Sequence, residues 1–95
     1  MDAEKLNELD DLLTAEGTES LRLHFADGEI YDLDYFSIIQ DSDAEPPKCS
    51  ARVVQPVEIP EGKRRFFKPD SGILFLLSDV VEAQDVRTLE VIFRS

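Results

Sequence analysis

The hydrophobic period of the chain changes at Ser20, from about 3.6 residues to 2, and this break decides what can form on either side of it. Before it, Leu6, Leu9 and Leu13 fall at three- and four-residue spacings, and Leu12 widens the stripe. The pattern predicts one amphipathic helix over residues 2–16, with Asp2 and Glu4 in the first turn, where the helix dipole favours negative charge. Gly17 follows as a residue able to end the helix at positive φ. So short a helix is not stable alone in water. Its leucines need a surface to cover, either this chain's own core or a neighbour's, which makes Leu6, Leu9 and Leu13 a candidate interface.

After the break, Leu21, Leu23 and Phe25 alternate with Arg22, His24 and Ala26, as in a half-buried strand, and Asp27-Gly28 marks a turn. The register can be chosen by pairing the two arms. A two-residue loop would set Leu23 against Asp32 and Leu21 against Asp34, with carboxylates on the apolar face. A three-residue loop, Ala26-Asp27-Gly28 with Gly28 left-handed, sets Leu23 against Tyr31 and Leu21 against Leu33. It also matches Arg22 with Asp32 on the outer face, so a type I turn with a G1 bulge is expected.

The remaining segments are short. Residues 34–40 hold an apolar patch, Tyr35, Phe36, Ile38 and Ile39, that suits a strand end or a helical turn. Residues 41–48, with two prolines and almost no apolar side chain, read as a mobile solvated loop. A strand is expected over 51–59 with Val53, Val57 and Ile59 on one face, placed at an edge or bent where Pro56 removes a donor. Turns follow at 61–63 and 68–72, around a short strand at Phe66 and Phe67. Ile73–Leu77 is apolar on both faces, as in a central strand. Val80–Gln84 and Leu89–Arg94 close the chain as a hairpin, with Leu89, Val91 and Phe93 on one side. The expected architecture is one α+β domain over residues 1–95, mainly β. A helix within 1–17 precedes a bent five- to six-stranded antiparallel sheet or small barrel over 18–95.

Leu23, Phe25, Asp27 and Gly28, together with the late pair Val80–Gln84 and Leu89–Arg94, resemble the small SH3-like barrels of the Sm-like family. The resemblance covers less than half the chain. It implies a bent five-stranded barrel and edge-to-edge ring assembly. The family's RNA-binding signature is absent: no Asp-x-x-Asn follows the second strand, and no Arg-Gly stands near Leu77 to Val81.

Charge narrows the function classes. Ten Lys and Arg against 21 Asp and Glu give a net charge of −11, which disfavours nucleic acid and anionic membrane partners. The longest apolar run, Ile73–Leu77, is far below the roughly 20 residues of a membrane helix. The start of the chain carries Asp2 and Glu4 where a secretory signal carries basic residues. A lone cysteine, Cys49, suits a reducing cytoplasm and is expected to be a half-buried inert thiol. His24 falls on the outer face of its strand. Asp41, Asp43 and Glu45 begin like a calcium loop, but Pro46 stands where glycine is needed and Arg52 where glutamate is needed. No phosphate loop, zinc spacing or nucleophile elbow occurs, so no cofactor, metal or catalytic role is expected.

Lys63, Arg64, Arg65 and Lys68 place four of the ten positive charges within six residues, beside Phe66 and Phe67. They form a candidate partner contact. Three functions are therefore carried forward. The first is a non-catalytic protein-interaction or assembly module, engaging a protein partner or a second copy through the helix face or the Ile73–Leu77 strand. The second is an acidic antagonist of a basic partner, and the third an anion or RNA contact at the basic segment. Because 21 acids repel one another on a small body, added salt should raise the melting temperature. A melting temperature that falls with salt would mean that ion pairs outweigh the repulsion.

Overall fold

The computed structural model describes residues 2–40 and 46–95, and in it Asp2 opens the first element. Helix α1 spans Ala3–Thr14, and the Asp2 side chain accepts from the Lys5 N–H at 2.9 Å. Its leucine stripe faces inward: Leu9 and Leu13 are buried, and Leu6 and Leu12 are partly buried against the core. The helix stops at Thr14 rather than residue 16. Thr18 Oγ1 then donates to the carbonyls of Ala15 at 2.7 Å and Leu12 at 3.1 Å, and Gly17 takes φ +81° in that turn.

Strands β1 (Leu21–Phe25) and β2 (Ile30–Ile39) form the hairpin in the three-residue register, with Leu23 facing Tyr31, Leu21 facing Leu33 and Arg22 facing Asp32. Gly28 sits at φ +93°, and its N–H donates to the Phe25 carbonyl at 3.0 Å. The apolar alternation and the Asp-Gly turn thus agree on one register, since a one-residue slip would move every inward side chain to the outer face. The patch after Asp34 is a continuation of β2, which bulges between Asp34 and Ser37 and holds Tyr35 at φ +53°.

Strands β3 (Lys48–Glu58), β4 (Gly72–Leu76), β5 (Val80–Asp85) and β6 (Val91–Arg94) complete one antiparallel sheet of order β4-β3-β2-β1-β5-β6. A short 3₁₀ turn, Leu77–Asp79, links β4 to β5. The sheet curls strongly. Phe25 on β1 and Phe75 on β4 are three strand spacings apart, about 14 Å in a flat sheet. Their rings meet at 5.1 Å. The inner face, with Leu23, Tyr31, Leu33, Val53, Leu77 and Val80 buried, is covered by α1.

Several expectations are corrected. The sheet is α+β and mainly β as expected, but it does not close into a barrel: β4 and β6 are its two ends. The apolar strand at 73–77 is therefore an edge strand ending at Leu76, not a central one, and Leu74 points outward. No strand forms at 64–68, where the chain is irregular. Lys48 belongs to β3 rather than to the loop, and Asp41–Glu45 lie outside the described residues. Bulges in β3 against β2 turn Val57 out of the face that buries Val53. Leu89 sits at φ +61° before β6, and only Phe93 of the last apolar trio is buried. Pro56 lies on the part of β3 that extends beyond its pairing with β4, where a missing donor breaks no β3–β4 bond.

Leu9→Ala should cost about 3 kcal/mol in urea unfolding, from lost transfer energy and the cavity left behind. Leu6→Ala should cost less than half of that. Equal costs at the two positions would contradict the docking of α1.

Candidate functional site

At the β1–β2 tip, Asp27 turns back on the chain and its Oδ1 accepts the Glu29 N–H at 2.9 Å. Lys63 Nζ spans the same two acids, 3.0 Å from Asp27 Oδ2 and 3.2 Å from Glu29 Oε2. Two residues along, Tyr31 is wholly buried, and a phenol hydroxyl removed from water needs partners. Tyr31 Oη donates to Glu29 Oε1 at 3.0 Å and accepts the Phe67 N–H at 3.1 Å. The Phe67 ring stands edge-on to Tyr31 at 6.0 Å. The Lys63 and Phe67 contacts fasten the irregular 63–68 segment across the mouth of the curled sheet.

The local electrostatics follow from these contacts. Burial pushes the Tyr31 phenol above its ordinary pKa, and the Glu29 carboxylate adds to the rise. For Asp27, burial acts upward, but the Glu29 N–H and the Lys63 ammonium outweigh it and hold the carboxyl below its usual value. Asp27 and Glu29 in turn raise Lys63.

Beside this network lies a recess of about 520 Å³ with Phe25, Phe67, Ile73 and Phe75 in its walls, and with Asp27, Glu29 and Asp79 around it. One of its walls is β4. Pairing in β4 can be followed from its two ends: Val53 N–H donates to the Ser71 carbonyl at 2.9 Å, and Leu77 N–H to the Pro47 carbonyl at 3.1 Å. Ile73 and Phe75, opposite Ala51 and Cys49, continue that hydrogen-bonded series toward β3. By the alternation of an antiparallel ladder, the N–H and C=O groups of Gly72, Leu74 and Leu76 face away from the sheet. No strand lies beyond them among the described residues.

A second, shallower recess flanks β4 on its outer face, where Leu74 is 58% exposed and Tyr35 76% exposed. The Arg52 guanidinium lies 4.9 Å from the Tyr35 ring centroid and pairs with Asp34 at 2.6 Å. Strand β6, at the other end, has only four residues. Arg94 there pairs back to Glu82 at 2.9 Å.

The residues singled out from sequence separate in the fold. Of the basic segment, Lys63 is taken up by Asp27 and Glu29, while Arg64, Arg65 and Lys68 are exposed and make no ion pair among the described residues. Phe66 is exposed, and Phe67 lines the recess. Of the two surfaces the α1 leucines could cover, Leu9 and Leu13 lie in this chain's own core, and Leu6 is partly buried against it. His24 lies on the outer face beside Gln84, with Glu82 at 3.5 Å. Cys49 is wholly rather than half buried, and burial pushes its thiol up to about 11. Asp32 is bound by Arg22 at 2.8 Å and Gln55 at 2.8 Å. Among the described residues no three His, Cys, Asp or Glu side chains are grouped to hold a metal ion, and no helix is long and apolar enough to cross a membrane. The calcium-like Asp41, Asp43 and Glu45 lie outside the described residues.

The chain matches no protein-family model, no curated protein and no solved structure. The Glu29–Tyr31–Phe67 link escaped the sequence reading because its partners are 36 positions apart from hydroxyl to amide. The one local signal was the placement of a tyrosine on an inward strand position, which requires a polar partner nearby.

Because Asp27's folded pKa is depressed, its contribution is complete above the unfolded value of about 4 and is lost as pH falls through the folded value. The stability gap between wild type and Asp27→Asn, from urea midpoints, should be largest at pH 6 and shrink toward pH 3. A gap that widens toward pH 3 would contradict the assignment.

Proposed function

We propose that the protein is a non-catalytic interaction module whose open β4 edge accepts an extended segment of another protein chain. One observation carries this reading: among the described residues nothing pairs with the outward backbone groups of Gly72, Leu74 and Leu76, on an apolar strand with a recess on each face. Edge strands of soluble proteins are ordinarily blunted by charge, proline, bulges or shortness. Gly72–Leu76 has five residues, none of them charged and none proline. Strand addition uses such an edge for backbone hydrogen bonds and the flanking recesses for alternate side chains. The resemblance to Sm-like proteins is compatible with edge pairing but is not needed for it.

A second reading, an anion contact at the basic segment, draws on the exposed Arg64, Arg65 and Lys68 beside exposed Phe66. Acidic antagonism of a basic partner draws on the net charge of −11 alone. Arg64, Arg65 and Lys68 line neither of the two recesses beside β4.

Leu74→Pro removes an outward N–H without touching the β3–β4 ladder, so it should leave the urea midpoint nearly unchanged. Random eight-residue peptides displayed on phage and selected on the wild type should lose at least tenfold in binding to Leu74→Pro. Selected peptides that bind the variant equally well would contradict the edge reading.

A further inference from the structure

We infer that the segment accepted by β4 is cationic, carrying a lysine or arginine two positions from a bulky apolar residue on the same strand face. The inference rests on the edge reading and adds the chemistry of its occupant. A strand laid on β4 projects alternate side chains toward the inner recess, beside Ile73 and Phe75, and the others toward Leu74 and Tyr35. The inner recess, about 520 Å³ with Phe25, Phe67 and Phe75 in its walls, has the size and lining for one large apolar side chain.

The charge around that recess is not balanced. Asp27, Glu29 and Asp79 border it, against the single ammonium of Lys63, which already serves the first two. Asp79 is exposed and has no side-chain partner among the described residues. Arg64, Arg65 and Lys68 do not line the recess. Asp79 lies three residues beyond the end of β4, just past the last apolar wall of the recess. Because Asp79 and the apolar walls border the same recess, we place the cation on the same face as the apolar residue, at the neighbouring same-face position, two residues along. A second copy of this chain is a poor occupant, because two chains of net charge −11 repel and its own β4 strand, Gly72–Leu76, carries no cation to meet Asp79.

The test uses three fluorescein-labelled eight-residue peptides, threonine at alternate positions, with a central Lys-Thr-Phe, Glu-Thr-Phe or Lys-Thr-Ala, titrated by anisotropy at low and physiological salt. A fourth carries Lys-Thr-Phe with N-methylated backbone amides on one edge, so the ligand's own pairing is blocked even if a protein variant misfolds. The Lys-Thr-Phe peptide should bind at least tenfold more tightly than the Glu-Thr-Phe or Lys-Thr-Ala peptide. Asp79→Asn should weaken it about threefold, and N-methylation should abolish binding. Equal binding of the Lys and Glu peptides, both lost on N-methylation, would overturn cation selection and leave the edge reading standing. No binding by any of the four, while library-selected peptides still depend on Leu74, would likewise overturn this inference alone. Binding of the Lys peptide that survives N-methylation would overturn both.

Discussion

The buried hydroxyl of Tyr31 is the constraint on which the outer half of the molecule depends. A phenol in the core must donate and accept, and it does so with Glu29 on its own strand and with the backbone of Phe67, far away in sequence. The second bond brings an irregular, charged segment onto the sheet. With it comes the Phe67 ring, which forms part of the recess wall beside β4. Besides this link, the segment is tied to β1 and β2 by the Lys63 pairs with Asp27 and Glu29 and by the edge contact of the Phe67 ring with Tyr31. One wall of the recess beside the proposed binding edge is therefore positioned by one hydrogen-bonded aromatic residue.

The outer face is organised by charge pairs running across strands. Arg22 and Asp32 are opposite one another on β1 and β2, and Gln55 completes Asp32 from β3. Asp34 and Arg52 repeat the arrangement one step along, and Glu82 and Arg94 do so between β5 and β6. Asp32 is only 1% exposed, so removing Arg22 would strand a buried carboxylate, at a cost of about 3–5 kcal/mol. Such a pair disfavours every other register of the hairpin. The positive charges of the outer face are thus largely committed to nearby acids, and among the described residues Asp79, at the recess, has no side-chain partner.

The hairpin was legible because its information is local. Alternation from Leu21 to Phe25, an Asp-Gly turn and one opposite-charge match between Arg22 and Asp32 selected a single register. The leucine stripe of α1 was equally clear, though what it covers depends on the sheet's curl and could not be read from spacing. The place of the 73–77 segment was misread for a physical reason. An apolar run of five residues is consistent with a strand buried on both sides, and sequence carries no mark of whether a neighbour exists. Phe66 and Phe67 suggested a strand, yet the segment is irregular, held by a hydroxyl and an ammonium rather than by a ladder. The basic cluster was visible as composition. Its division into one paired and three exposed cations depended on where the β1–β2 tip lies in space.

The claim at the centre of this account is that the outward edge of β4 is unpaired in the free protein. Amide hydrogen exchange followed residue by residue by NMR tests it most directly. Ile73 and Phe75, bonded to β3, should be strongly protected, while Gly72, Leu74 and Leu76 should exchange near the rate of an unstructured chain at every protein concentration. Protection of Leu74 and Leu76 equal to that of Phe75 would show that the edge is already covered, and would contradict the account.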